Sequence, residues 1–128
     1  MKILKKKDAP RYIRKEGIKS YLLASSITSD SESLTTTLVE INPGGKQRIH
    51  NHDPEQVYFI IAGNGKMTVG DETQNVEVGD CIFIPANEPH GLENAGDIKL
   101  IYFSAAAPSF DKQELLNFWP LQSESKSQ

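Results

Sequence analysis

Apolar and β-branched runs recur along this chain, and each is cut off after a few residues by a cluster of Gly, Asn, Asp or Pro. A helix needs roughly ten or more uninterrupted residues to bury a stripe, whereas a strand is complete in about four to eight. The punctuation therefore predicts an antiparallel all-β fold rather than alternating βα units. Strands are expected near residues 18–24, 34–41, 47–52, 56–62, 66–70, 75–78, 81–84, 90–93 and 98–104. GNG at 63–65 and GDE at 70–72 supply the positive-φ residues that tight hairpins require. TSDSES at 28–33 reads as a polar loop. Only 111–118, DKQELLNF, has helical character, with Asp111 as cap and Pro120 as stop. Its Leu115, Leu116, Phe118 and the following Trp119 form an apolar surface that either covers the barrel or meets a second subunit. Short strands at this turn density suit a jelly roll.

A chain of 128 residues can bury a single core without disulfide staples. One domain is expected over 1–121, beginning with a basic arm at 1–16 and followed by a disordered tail at 122–128. The lone Cys81 has no intramolecular partner, and its place in CIFIP predicts a small buried hydrophobe. The N-terminus lacks the apolar stretch of a secretory signal, and no run is long enough to cross a bilayer, so the expected location is cytoplasmic, without membrane contact. Residues 1–19 hold eight Lys or Arg against two acids, which leaves six against fifteen in the remainder. An acidic body argues against nucleic acid as a partner, because phosphate affinity needs clustered positive charge on the binding surface. The basic arm is expected to lie as a solvated edge segment on its own or a neighbouring acidic body.

The chain has three histidines, His50 and His52 two residues apart and His90 far downstream. On a strand, the i, i+2 spacing puts the first two imidazoles on one face, where a metal ion can sit between them. The surrounding stretches are PGGKQRIHNHDPEQVYFIIAG and GDCIFIPANEPHGLEN. They contain Gly44, His50, His52, Gln56 and Gly63, then Gly79, Pro85, Asn87, His90 and Asn94, at the intervals of the two cupin motifs. The chain thus resembles a small single-domain cupin. That resemblance implies a double-stranded β-helix, the cupin jelly-roll barrel, with the short C-terminal helix appended. It also implies one divalent transition metal ion (Fe, Mn, Ni, Co or Zn) held by His50, His52, Gln56 and His90, and a homodimer.

Two residues depart from the family pattern. Asn87 stands where Gly is usual, and Asn is the residue that best tolerates a left-handed turn in its place. Gln56 stands where the family usually carries Glu; neighbouring Glu55, one residue out of register, should face the other side of the strand. With a neutral carboxamide as fourth donor, the ion keeps its full formal charge of two, which favours anions and water activation and disfavours oxidation of the metal. Arg48 has the same period of two as the histidines and could hold a substrate carboxylate or phosphate; the alternative points it to solvent at the barrel mouth. Tyr58 should face inward as a proton donor, or as a buried hydroxyl satisfied by a backbone partner. Phe83, Leu92, Tyr102 and Met67 are candidates for pocket lining. The resemblance implies a metal-dependent enzyme of oxygenase, isomerase or decarboxylase type acting on a small anionic metabolite. The alternative is a non-catalytic metal-containing small-ligand binding or sensor protein.

Overall fold

The computed structural model describes residues 1–119 and contains two antiparallel sheets packed around one apolar core. The strands are β1 (Arg11–Arg14), β2 (Ile18–Leu22), β3 (Thr35–Ile41), β4 (Glu55–Ala62), β5 (Asn64–Val69), β6 (Glu72–Glu77), β7 (Cys81–Ile84), β8 (His90–Glu93) and β9 (Leu100–Ala107), followed by helix α1 (Lys112–Phe118). The larger sheet runs β1-β2-β3-β9-β4-β7 and the smaller β6-β5-β8. This is the jelly-roll architecture that the strand pattern predicts. Alternation along each strand fills the space between the sheets: Val39, Ile41, Tyr58, Ile60 and Tyr102 from the large sheet meet Met67, Val76 and Leu92 from the small one. Each such side chain, fully buried, contributes about 1.5–3 kcal/mol.

Four expectations need correction. Residues 47–52 do not form a strand. Only isolated bridges, Lys46 to Glu93 and His50 to His90, tie that segment to β8. Pro54 has no amide hydrogen to give to a ladder, and the chain crosses so close to β8 that a Cβ on Gly91 would lie 2.8 Å from the Gln47 carbonyl oxygen. GNG at 63–65 is a corner, not a hairpin, since β4 and β5 belong to different sheets. Gly63 (φ +79°) turns the chain where a Cβ would meet the Lys99 carbonyl. By contrast, Gly70 does close the β5–β6 hairpin, with Val69 opposite Glu72.

Cys81 is exposed rather than buried. It lies on the outermost strand of the large sheet, where Ile82 and Ile84 take the inward positions and Cys81 and Phe83 the outward ones. Phe83 is accordingly no part of the central cavity. The basic arm lies at the sheet edge against its own acidic Glu40, in line with expectation, and in addition supplies a strand. β1 pairs with β2, placing Arg14 opposite Ile18, and Lys6 donates to Glu40 at 2.6 Å. The arginines that flank Tyr12 and Ile13 hide this strand from a hydrophobicity reading.

Helix α1 is capped as the sequence predicts, with the Asp111 carboxylate accepting from the Glu114 amide at 2.9 Å. Its apolar side covers the large sheet's inner face: Leu115 is fully buried against Leu22, and the Trp119 indole donates to the Ser20 carbonyl. Pro120, the end of the expected domain at 121 and the tail at 122–128 lie outside the described residues. Among the described residues no helix is long and apolar enough to cross a membrane.

Candidate metal centre

Three contacts distant in sequence assemble the site. The backbones of His50 and His90 exchange both hydrogen bonds, at 3.0 and 2.8 Å, which brings two imidazoles together from opposite motifs. The His52 carbonyl accepts from the Asn87 amide at 2.9 Å, and Asn87 has φ +64°, the left-handed conformation expected of it. Asn94, fully buried, donates to the Ile41 and Ile98 carbonyls and accepts from the Gly96 amide, fixing the loop after β8. Ring centroids then lie 4.3 Å apart for His50 and His90, 4.9 Å for His52 and His90, and 5.4 Å for His50 and His52. One ring nitrogen from each lies within 4.8 Å of the others, a spacing that a single ion can close with bonds of about 2.1 Å after small side-chain rotations.

Backbone carbonyls orient two of the rings. His50 Nδ1 pairs with the Arg48 carbonyl at 2.8 Å and His90 Nδ1 with the Glu88 carbonyl at 2.9 Å, so each leaves Nε2 free. His90 Nε2, His52 Nδ1 and Gln56 Oε1 are buried without a hydrogen-bond partner. Unsatisfied buried polar atoms are costly and rare; here His52 and Gln56 line one cavity, and the His90 ring packs against the His50 and His52 rings that line it. Gln56 is inward and buried while Glu55 is exposed, as the register predicts. Its amide nitrogen is tied to Ser104 Oγ at 3.3 Å, which leaves the oxygen, the metal-binding atom of a carboxamide, uncommitted. The donor set fits a divalent transition ion.

The cavity, of about 220 Å³, is floored by Thr37, Tyr58, Tyr102 and Ser104 of the large sheet and roofed by Phe110, Leu115, Phe118 and Trp119. Tyr58 points inward, stacks on Tyr102 at 4.1 Å and donates its hydroxyl proton to Gln47 Oε1 at 3.0 Å, while Gln47 Nε2 donates to Tyr102. Its proton is therefore committed within the wall, and burial pushes the Tyr58 hydroxyl up to about 12. Arg48 does not share a face with the histidines. Its exposed guanidinium lies 2.6 Å from the Glu16 carboxylate, outside the cavity, because the segment is not a strand and the period of two does not apply. Arg14 from β1 lines the cavity instead. The sequence signal for it was the alternation of Tyr12 and Arg14, visible only if the arm is read as a strand.

A cupin-domain family model matches residues 37–105, more than half of the sequence. The chain belongs to the cupin family. An uncharacterised protein of Methanocaldococcus jannaschii is 32% identical over 106 residues, covering 80% of this cupin and 83% of that protein. Oxalate decarboxylase OxdC of Bacillus subtilis is 28% identical over 113 residues. The match takes in 84% of this cupin but only 29% of that longer enzyme. A solved structure of the same enzyme, directed at its Mn(II) centres, superposes with a TM-score of 0.71 at 28% identity, over 78% of this cupin and 28% of that chain. The polyketide cyclase RemF of Streptomyces resistomycificus superposes with a TM-score of 0.73 at 23% identity, over 85% and 80% of the two chains, a likeness of fold.

Burial holds all three imidazoles of this cupin below their ordinary value of 6.5, with His90 lowered to about 4. Neighbouring imidazoles add to the effect on His50 and His90. As pH falls, the unfolded chain takes up protons first, so the folded state has its full advantage above about 6.5 and loses it progressively toward about 4. The metal-free protein is expected to lose thermal stability across that window. Melting curves from about pH 7.5 to about pH 4 check this, and a flat profile would mean that the rings are solvated.

Proposed function

We propose that this cupin holds one divalent transition metal ion through His50, His52 and His90, with Gln56 Oε1 as the fourth donor, and that it acts enzymatically on a small anionic metabolite. The observation that carries the reading is the convergence of three imidazoles, two of them on the cavity wall beside Gln56, with His52 Nδ1, His90 Nε2 and Gln56 Oε1 buried and unpartnered. Such an ion, whether Fe, Mn, Co, Ni or Zn, supplies a Lewis acid that polarises a coordinated carboxylate or carbonyl. The chain's own residues do the rest. Carbonyls of Arg48 and Glu88 orient two rings through Nδ1 and leave their Nε2 atoms uncommitted. The neutral Gln56 leaves positive charge undiminished, drawing in an anion. Phe110, Leu115 and Trp119 roof the cavity and exclude water, which strengthens every charge interaction inside. The reaction is of the oxygenation, isomerisation or decarboxylation type, and the decarboxylase relative supports carboxylate substrates.

Two measurements test this. Protein purified without a histidine tag is expected to carry about one transition ion per chain, and a panel of 2-oxo acids, β-diketones and sugar phosphates to include a compound that is turned over. Gln56→Glu is expected to keep the metal but weaken binding of anionic ligands by about tenfold, since a carboxylate donor cancels one of the two formal charges. Unchanged anion affinity would remove Gln56 from the coordination shell.

A further inference from the structure

Arg14 reaches the same cavity from the N-terminal strand, and the proposal that follows rests on the reading of that cavity as a metal centre. Its Nε is buried without a hydrogen-bond partner, and among the described residues its guanidinium forms no ion pair. An arginine left unpaired in a partly buried position is costly, because desolvation of the charge has nothing to offset it. The guanidinium lies over two aromatic rings: the carbon at its centre is 4.9 Å from the Tyr12 ring centroid and 5.8 Å from that of Phe118. Cation–π contact of this kind orients the plane and leaves the in-plane N–H groups to find an acceptor. The carboxylate two residues along the chain, Glu16, is engaged by Arg48 at 2.6 Å. Arg48 thereby competes with Arg14 for that carboxylate.

We propose that Arg14 anchors a second carboxylate of the substrate, so that the ligand is a small hydroxy- or oxo-diacid held at one end by the metal centre and at the other by this guanidinium. A planar fork of N–H donors matches a carboxylate bidentately. A phosphate dianion would meet one cation only, with the Glu114 carboxyl on the same cavity wall opposing it. Burial already raises that carboxyl above its ordinary range, and a dianion beside it would raise it further. A monoacid would satisfy the metal and leave Arg14 bare.

Malate and lactate separate the two ends, since they share a hydroxy-acid group for the metal and differ in the second carboxylate. Titration calorimetry on the metal-loaded protein is expected to show malate bound at least about tenfold more tightly than lactate. Arg14→Gln is expected to abolish that preference while lactate affinity and metal content stay unchanged. Because Arg14 packs on Tyr12 and Phe118, Arg14→Lys serves as the second variant, keeping stem and charge; it should retain only part of the preference. A malate-to-lactate ratio unaffected by Arg14→Gln, equal loss of both acids, or binding of neither acid by the wild type overturns the anchor. So does inorganic phosphate bound through Arg14 in preference to malate. A protein that takes up no transition ion yet prefers malate through Arg14 overturns the metal centre and leaves the anchor standing, while a metal-loaded protein indifferent to Arg14 does the reverse.

Discussion

His90→Ala is expected to reduce bound metal from about one ion per chain to less than about a tenth of that, measured by elemental analysis of untagged protein. His90 is the fully buried member of the cluster, and its Nε2 has no hydrogen-bond partner. Two imidazoles and a carboxamide remain, and loss of one of three strong donors from a site open to ligand leaves too weak a set to compete with buffer. The fold should survive the change, since the bridge to His50 is made by backbone atoms. In wild-type protein, an ion at a hundred times its Kd adds about 2.7 kcal/mol of stability, visible as a rise in Tm. His90→Ala should show no such rise. Arg48→Ala, outside the cavity, is expected to bind metal as the wild type does. Full metal content in His90→Ala would dismantle the proposed centre.

The largest structural penalty is expected at Gly63. An added Cβ would stand 2.6 Å from the Lys99 carbonyl oxygen and 2.9 Å from Leu100 Cα, both backbone atoms that no rotamer change can move. The residue also has φ +79°, where side chains are strained. Overpacking and left-handed strain together are expected to make Gly63→Ala destabilising by about 3 kcal/mol, a large share of a typical stability of about 5–15 kcal/mol. Gly79 provides the control: φ is +93°, but a Cβ there meets nothing within 4 Å. Strain alone should make Gly79→Ala cost about 1 kcal/mol. Equal losses for the two variants in urea unfolding would mean that crowding at the β4–β5 corner is unimportant. That corner aligns β4, which carries Gln56 and Tyr58, so its distortion should also lower metal content.

Much of this arrangement is legible from local pattern. β7 and β8 fall on the expected residues, and the neighbouring strands differ from expectation by a few at their ends. The exposed Glu55 beside a buried Gln56 follows from a period of two on a regular strand. Asn87 adopts the positive φ that its chemistry permits. Residues 47–52 misled the same rule, because its premise, a regular strand, fails where the chain crosses between sheets on two isolated bridges. Arg48 takes the solvent-facing one of its two alternatives for the same reason. Arg14 was passed over because a short charged segment has no apolar alternation to betray a strand.

Turn residues, apolar spacing and the two histidine motifs act over a few positions, and they were enough to set the strand order of events along the chain, the family and the identity of the three imidazoles. Which cation faces those imidazoles, which tyrosine proton is already spent on Gln47, and why Cys81 lies outside instead of in the core depend on pairings between residues tens of positions apart. Those are settled by how sheets stack and edges fall, a property of the whole packed chain that no local periodicity encodes.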